Sequence, residues 1–209
     1  GSGDGNHSFL YCNLPAAAAG PLRHSHSAIM GRSGFLRRAV TRHHHTIRRN
    51  FLNPLEQLAS HGQAFWLDYI RRVFVREGEL ERLVREDGLR GVTSNPAIFE
   101  KALGSPEYRA QVQGATCDAA ASAQVIFDAV AVRDVRDAAD VLRPVYDATQ
   151  GADGFVSLEV SPTRAHDTEN TLADARRLWA AVNRPNLMIK VPATAEGIPA
   201  IEELIAEGI

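Results

Sequence analysis

Short apolar segments alternate with longer amphipathic patterns from residue 53 onwards. The short segments have the length and residue types of β-strands, and they lie at 64–70, 91–96, 154–160 and 187–194. Apolar residues recur three and four positions apart in the stretches between them, which is typical of helices. Such helices are predicted at about 55–62, 78–86, 97–103, 106–113, 120–150, 168–182 and 197–206. The longest is predicted to break near 132–135 and at Pro144.

This alternation of strands and helices predicts the α/β class, with a parallel sheet covered by helices. Four strand–helix units end at Gly208, a favourable residue just beyond a helix, and Ile209 would begin the next element. We therefore predict a (βα)8 TIM barrel that is truncated after about four units. An open doubly wound sheet is the alternative, although no glycine-rich phosphate loop follows any strand.

One face of each predicted strand is plainly hydrophobic, and the other face carries a polar residue near the C-terminal end. Because successive side chains of a strand point to opposite faces, parity assigns the polar residues to one common side. They are Asp68, Asn95, Glu159 and Lys190. Functional groups of a βα barrel converge at the C-terminal ends of the strands, so these four residues are predicted to form a site.

Lys190 is unusual because this chain hardly uses lysine. Of 23 basic residues only Lys101 and Lys190 are lysines, and the other 21 are arginines. Arginine stays protonated, whereas a buried lysine can lose its proton and become a nucleophilic amine. A strand-end lysine that merely reaches water is the alternative interpretation.

The charge is distributed unevenly along the chain. Residues 1–52 contain seven arginines and a single acidic residue, Asp4, so they carry +6, while residues 53–209 carry −8. We interpret 1–52 as a disordered, basic, low-complexity tail, either a transit peptide or non-native sequence, and 53–209 as the folded domain. A nucleic-acid arm would usually contain more lysine and interleaved aromatic residues, so no nucleic-acid partner is expected.

Other function classes have little support in the sequence. No apolar run approaches the ~18 residues of a membrane helix, so no membrane association is expected. Cys12 and Cys117 are far apart and lack metal-ligand spacing, which favours free thiols. Three further groups are interpreted as structural: a helix start at Asp167 or Thr168, and solvated arginines at 71–72 and 176–177.

The four polar residues suit carbonyl chemistry. A desolvated Lys190 can attack a ketone and form a Schiff base, which serves as an electron sink. Glu159 suits the proton transfers of carbinolamine formation and dehydration, and Asp68 can accept a hydroxyl proton during carbon–carbon cleavage. Asn95 can hold a substrate hydroxyl without charge. A buried ion pair is the alternative explanation for a lysine among carboxylates.

Five motifs of residues 53–209 resemble transaldolase, in particular the bacterial type also found fused to phosphoglucose isomerase. They are WLDYIRR at 66–72, GVTSNPAIF at 91–99, VSLEV at 156–160, HDTE at 166–169 and RPNLMIKVPAT at 184–194. The resemblance implies a class I aldolase-type barrel that moves a dihydroxyacetone unit between sugar phosphates in the pentose phosphate pathway. The implied donor is sedoheptulose 7-phosphate or fructose 6-phosphate, and the acceptor is an aldose phosphate.

The resemblance also assigns residue roles. It implies that Lys190 is the Schiff-base lysine, that Asp68 and Glu159 are the acid/base pair, and that Asn95 and Thr93 bind substrate. No metal or organic cofactor is implied. The intact protein is expected to be cytoplasmic, or located in a plastid or mitochondrion if 1–52 is a transit peptide, and to form a homodimer.

Two alternatives stay open at this point. One is a related Schiff-base fructose 6-phosphate aldolase, which releases dihydroxyacetone to water, and the other is a non-catalytic half-barrel remnant. The family pattern continues past Ile209 with a strand that carries a catalytic threonine, then a serine and phosphate-binding arginines. We therefore expect a fragment that cannot close a barrel and has little activity alone.

Overall fold

The computed structural model describes residues 53–116 and 122–209, and the interpretation of residues 1–52 lies outside them. The strands are β1 (Phe65–Asp68), β2 (Leu89–Thr93), β3 (Phe155–Glu159) and β4 (Leu187–Lys190). The helices are α1 (Pro54–Ser60), α2 (Arg72–Arg76), α3 (Glu79–Glu86), α4 (Pro96–Leu103), α5 (Pro106–Thr116), α6 (Ala123–Ala148), α7 (Thr168–Val182) and α8 (Gly197–Glu207). A 3₁₀ turn at Pro162–Arg164 lies between β3 and α7.

The four strands form one parallel sheet in the order β1-β2-β3-β4. The α/β class with a parallel sheet is therefore confirmed. Each strand pairs with the next one along the chain, as consecutive strands of a βα barrel do, whereas a doubly wound sheet reverses its order at a switch point. The described part of the chain thus has the arrangement of a barrel segment, and the doubly wound alternative was wrong.

The core lies between the sheet and the helices that cover it. Helix α6 packs against β2 and β3, and α7 packs against β4. Val92, Val156 and Leu187 from three of the strands are almost completely buried, as are Val135 and Leu142 of α6. These strand residues occupy the positions that the alternation assigned to the helix-covered face, so burial of that face fixes the orientation of the sheet.

Three predicted elements need correction, and one helix was not predicted. The fourth strand ends at Lys190, four residues earlier than predicted. The second strand starts two residues earlier and ends three residues earlier than predicted. Asn95 is therefore not a strand residue, and it is the N-cap of α4. Helix α6 is continuous from Ala123 to Ala148 and contains Pro144 without a break. The short helix α2 was not predicted, because its five residues provide only about one turn of pattern.

Polar caps set several helix boundaries. The Asn53 side chain accepts hydrogen bonds from the N–H groups of Leu55 and Glu56, at 2.7 and 3.0 Å, and forms a capping box with Glu56. The Asp167 carboxylate accepts from Asn170 N at 3.0 Å, which confirms the predicted start of α7. None of the helices in the described ranges is long and apolar enough to cross a membrane.

Candidate active site

Lys190 and Glu159 meet at the C-terminal edge of the sheet. They are Cα partners in the last register pair of β3 and β4, and Lys190 Nζ lies 3.1 Å from Glu159 Oε2. The side chains are 36% and 24% exposed, so the pair is open to a ligand while being partly withdrawn from water. The predicted juxtaposition of an amine with a carboxylate is therefore present.

The Lys190 ammonium also donates to the main chain at the end of β2. Its Nζ lies 3.0 Å from the carbonyl oxygen of Ser94. Ser94 is in turn joined to β3, because its Oγ donates to the carbonyl of Ser157 at 2.6 Å. These contacts connect β4 with β2 across β3 at the edge where the predicted site lies.

Asp68 lies at the same edge, on β1, and faces β2. The hydroxyl of Thr93 donates to Asp68 Oδ1 at 2.6 Å, and the two residues are Cα partners in the last register pair of their strands. The structure thus brings the predicted residues together as two pairs, Asp68 with Thr93 and Lys190 with Glu159. Ser94 follows Thr93 directly in the chain, and its carbonyl accepts the hydrogen bond from Lys190. It therefore links the two pairs.

Asn95 is a helix cap in the structure. Its Oδ1 accepts a hydrogen bond from Ile98 N at 3.1 Å and caps α4. The cap holds the amide at the C-terminal edge of the sheet, directly after Ser94. The prediction that Asn95 contacts substrate concerns the other end of the amide, the Nδ2 donor.

The loops that follow β3 and β4 are tied together beside the site. Thr168 Oγ1 donates to the carbonyl of Glu196 at 2.7 Å, and Thr194 Oγ1 donates to the carbonyl of Ala165. His166 Nδ1 lies 3.2 Å from Glu196 Oε2 at the surface. A hydrogen bond from the backbone N–H of Glu196 itself, and then the hydrogen bond with His166, lower the pKa of the Glu196 carboxyl below its usual range. The two loops therefore form one joined wall of the site.

A cavity opens beyond the end of β3, between α6 and α7. Its lining includes Glu159 and Ser161 from the β3 side, Phe127 and Asp128 from α6, and Asp174 and Leu178 from α7. Glu159 belongs both to this cavity and to the Lys190 pair.

Sequence reasoning missed a buried ionic cluster behind β1. Arg72 and Asp134 are 6% and 0% exposed, and Arg72 Nε donates to Asp134 Oδ1 at 2.8 Å. The Tyr108 hydroxyl donates to Asp134 Oδ2 at 2.5 Å and accepts from Arg72 N at 2.8 Å. Burial raises the pKa of both Asp134 and Tyr108 above their ordinary values. The interpretation of Arg72 as a solvated arginine was wrong.

This cluster fixes the turn that follows Asp68. It joins the start of α2 to α5 and α6. Its member Arg72 lies only four residues beyond Asp68, the last residue of β1. A signal for it was present in the sequence, because Asp134 lies four residues after Val130 and next to Val135, on the apolar face of a long helix. An acid on such a face needs a buried partner. The solvated interpretation was correct for Arg176 and Arg177, which are exposed.

The arrangement is suited to nucleophilic addition to a carbonyl group. A lysine amine within hydrogen-bond distance of a carboxylate can attack, while the carboxylate carries protons to and from the oxygen that leaves. Within residues 53–116 and 122–209, no three His, Cys, Asp or Glu side chains are grouped so that they could hold a metal ion.

Comparison with known proteins agrees with this chemistry. The protein-family profile described as "Transaldolase/Fructose-6-phosphate aldolase" matches residues 65–209, which include all four strands and every residue of the site.

Curated relatives match the same part of the chain. A protein of Thermobifida fusca named transaldolase is 52% identical over 161 residues, which are 75% of this chain and 43% of that protein. Proteins of Trichodesmium erythraeum and Nostoc punctiforme, named transaldolase and transaldolase 2, are 45% and 46% identical over 158 residues each. Those matches cover 75% of this chain and 41% of each relative. The chain thus spans about two fifths of the length of these relatives.

Proposed function

The chain belongs to the transaldolase/fructose-6-phosphate aldolase family, and on that basis we propose that the intact protein transfers a dihydroxyacetone unit between sugar phosphates through a Schiff base at Lys190. One observation carries the proposal. The chain's single strand lysine lies 3.1 Å from a carboxylate at the C-terminal edge of a parallel sheet. Barrel enzymes place their reacting groups at this edge.

The first half of the reaction uses Lys190 and Glu159. The neutral amine attacks C2 of the ketose phosphate, and the carbonyl oxygen takes up a proton to give a carbinolamine. Protonation of that hydroxyl, with Glu159 as the nearby acid, releases water and leaves an iminium ion bonded to Nζ. The iminium then accepts the electron pair of the carbon–carbon bond that breaks next.

Asp68 serves the cleavage step. Its carboxylate takes the proton of the C4 hydroxyl, the C3–C4 bond breaks, and an aldose phosphate leaves. The three-carbon unit stays on Lys190 as an enamine, which can attack the aldehyde of an acceptor and form a new C3–C4 bond. Thr93 donates to Asp68 Oδ1 at 2.6 Å, which holds one oxygen and leaves the other available to the substrate.

Thr93 and Asn95 are proposed to bind substrate. The Asn95 Oδ1 is occupied as the α4 cap, so its Nδ2 is the atom that would donate to a hydroxyl of the dihydroxyacetone unit. Because the cap fixes the amide plane, the donor direction is set before substrate arrives. The roles of Lys190, Glu159, Asp68, Thr93 and Asn95 stay predictions that the following experiment and those in the Discussion address.

Trapping with borohydride tests the proposal. Fructose 6-phosphate is added to the intact protein, sodium borohydride reduces any iminium, and tryptic peptides are mapped by mass spectrometry. We expect a three-carbon adduct on Lys190 and none on Lys101, the other lysine, which is exposed on α4. Lys190→Met should abolish the adduct while leaving the thermal unfolding midpoint nearly unchanged. An unmodified Lys190 would contradict the proposal.

The second candidate is the aldolase named in the same family description, in which water and not a sugar phosphate completes the reaction. The two differ in the fate of the enamine. Adding erythrose 4-phosphate before borohydride should remove the adduct from a transaldolase and yield sedoheptulose 7-phosphate. An adduct that decays equally fast without any acceptor would indicate the aldolase, and a chain without any adduct would indicate a non-catalytic remnant.

Sugar phosphates are the proposed partners, as the family membership suggests. A homodimer and a cytoplasmic location stay predictions for the intact protein. Sedimentation of that protein and imaging of a fluorescent fusion would test them.

A further inference from the structure

Two buried serines join β2 to β3 where the strand ladder has already ended. The ladder between these strands pairs Gly91 with Phe155 and Val92 with Val156, and it stops there. Beyond it, Ser94 Oγ donates to the Ser157 carbonyl at 2.6 Å, and Ser94 N donates to Ser157 Oγ at 3.4 Å. Ser94 is completely buried and Ser157 is 3% exposed. We name this pair of contacts the serine latch.

The serine latch controls the position of one oxygen atom. That atom is the Ser94 carbonyl, which accepts the hydrogen bond from Lys190 Nζ at 3.0 Å. The last β2–β3 ladder pair is Val92 with Val156, two residues before Ser94. The ladder therefore does not reach the Ser94 peptide, and among the described residues only the latch holds that peptide against β3. The neighbouring Asn95 already belongs to the α4 cap. The latch is therefore the contact that joins this carbonyl to the strand beside Lys190.

We propose that Ser94 and Ser157 are positioning residues for the Lys190 amine. Neither needs to touch substrate. The Ser94 carbonyl accepts a hydrogen bond from the Lys190 ammonium at 3.0 Å, and the Glu159 carboxylate forms an ion pair with the same nitrogen at 3.1 Å. The hydrogen bond to Ser94 therefore fixes one N–H direction of the ammonium, on the side of β2. Holding Nζ between these two groups sets the position from which the amine attacks a carbonyl.

This inference rests on the proposed role of Lys190 as the reacting amine, but its test needs no turnover. The chain contains only two lysines, so Lys101 is an internal reference for any reagent that labels amines. Reductive methylation with formaldehyde and cyanoborohydride, followed by peptide mass spectrometry, gives the Lys190/Lys101 rate ratio. Measuring the ratio from pH 6 to pH 11, in about ten steps, gives the midpoint of the Lys190 profile relative to that of Lys101.

Ser94→Ala removes the shorter contact of the latch. The Ser94 carbonyl should move, the ammonium should lose an acceptor, and the charged form should become less favoured. We expect the Lys190 midpoint to move to lower pH by about half a unit to one unit, a threefold to tenfold rise in labelling relative to Lys101 below the midpoint. Ser157→Ala removes only the longer contact and should shift the midpoint less, in the same direction.

Ser105→Ala is the matched control. It lies between α4 and α5, and its hydroxyl donates to the Ala102 carbonyl at 2.6 Å. It should leave the midpoint unchanged. A cooperative thermal transition in each variant shows that the fold is present, and if Ser94→Ala does not fold, Ser157→Ala decides.

A merely structural latch gives a different result. It would lower the unfolding temperature, or raise Lys190 labelling by the same factor at every pH, without moving the midpoint. An unchanged midpoint in the folded variants, or a move to higher pH, would overturn the inference. Failure of the proposed function is seen separately, as the absence of a borohydride adduct on Lys190 in the unmodified chain.

Discussion

At the scale of single residues, Lys190 and Glu159 meet because they occupy equivalent places on neighbouring parallel strands. They share a register pair, and parity puts both side chains on the face opposite Leu158 and Ile189. The same parity puts Asp68 and Thr93 together on β1 and β2. Residue type and strand position were enough to predict that Asp68, Glu159 and Lys190 share one edge of the sheet, but the pairing of Asp68 with Thr93 was not predicted.

The two carboxylates are expected to serve different steps, and single substitutions can separate them. Glu159→Gln should slow the appearance of the borohydride-trapped adduct on Lys190 by about 10²-fold to 10⁴-fold, because proton transfer to the leaving oxygen is lost. Asp68→Asn should form a trapped adduct at a rate within about twofold of the unsubstituted protein, but the adduct should keep all six carbons of the ketose phosphate, and less aldose phosphate should be released per adduct. Intact-mass time courses and an aldehyde-phosphate assay measure the two quantities.

Glu203→Gln provides the control for these substitutions. Glu203 is an exposed residue of α8 whose carboxylate pairs with Arg176, away from Lys190. It should change neither quantity. Equal slowing of adduct formation by Asp68→Asn and Glu159→Gln would show that the proposed division of roles is wrong.

At the scale of elements, β1 and β2 depend on a glycine that faces an indole. Trp66 and Gly91 are Cα partners, and a Cβ placed on Gly91 would lie 2.3 Å from Trp66 Cδ2. The indole therefore covers the bare backbone of β2. Trp66 lies two residues before Asp68 on the same face of β1, so this contact also sets the plane from which Asp68 projects.

Gly91→Ala should consequently destabilise the protein by about 1–3 kcal/mol, because the added methyl group must displace the Trp66 ring. Gly114→Ala is the matched substitution on helix α5, where an added Cβ meets no atom within 4 Å. It should stabilise by about 0.5–1 kcal/mol through helix propensity alone. Equilibrium urea unfolding compares the two, and equal midpoints would show that the indole does not rest on Gly91.

Helix α6 shows how packing overrides local preference. Pro144 was expected to break it, yet the helix continues to Ala148. Leu142 and Val145, on either side of the proline, are buried at 0% and 7% exposure, while Pro144 itself faces solvent. Burial of that face against β3 outweighs the loss of one helical hydrogen bond at an exposed position.

At the scale of the whole molecule, β1 and β4 are the edges of the described sheet. An apolar groove runs along the β4 edge and α8, lined by Ile189, Val191, Ile201, Leu204, Ile205 and Ile209. Ile205 and Ile198 of α8 are 69% and 58% exposed. An open strand edge beside apolar surface favours association between molecules.

We therefore expect the 209-residue chain to associate as its concentration rises, as measured by sedimentation velocity. Ile205→Lys should weaken this association about tenfold or more, because one exposed isoleucine is replaced by a charge. Val125→Lys is the control, since Val125 is 57% exposed but lies on α6, away from the β4 edge. A chain that stays monomeric at all concentrations, or equal effects of both substitutions, would contradict this expectation.

The sequence by itself determined the α/β class, seven of the eight helices of the described residues and the sheet face that carries the candidate site residues. Periodicity is sufficient for these features because burial of one face per element is a local pattern. It also singled out Lys190, since a chain with 21 arginines and two lysines uses lysine only where its chemistry differs. Motif resemblance then supplied the family, which the comparisons confirm.

Only the tertiary structure decided which groups touch. The order of the strands, the Asp134 cluster around Arg72, and the serine latch all join residues that are 24 to 64 positions apart in the chain. Asn95 is a helix cap for the same reason. Strand β2 ends at Thr93, where its ladder with β1 ends, and α4 begins directly after Asn95. Hydrogen bonds over such separations depend on the packing of whole elements, which no local pattern records.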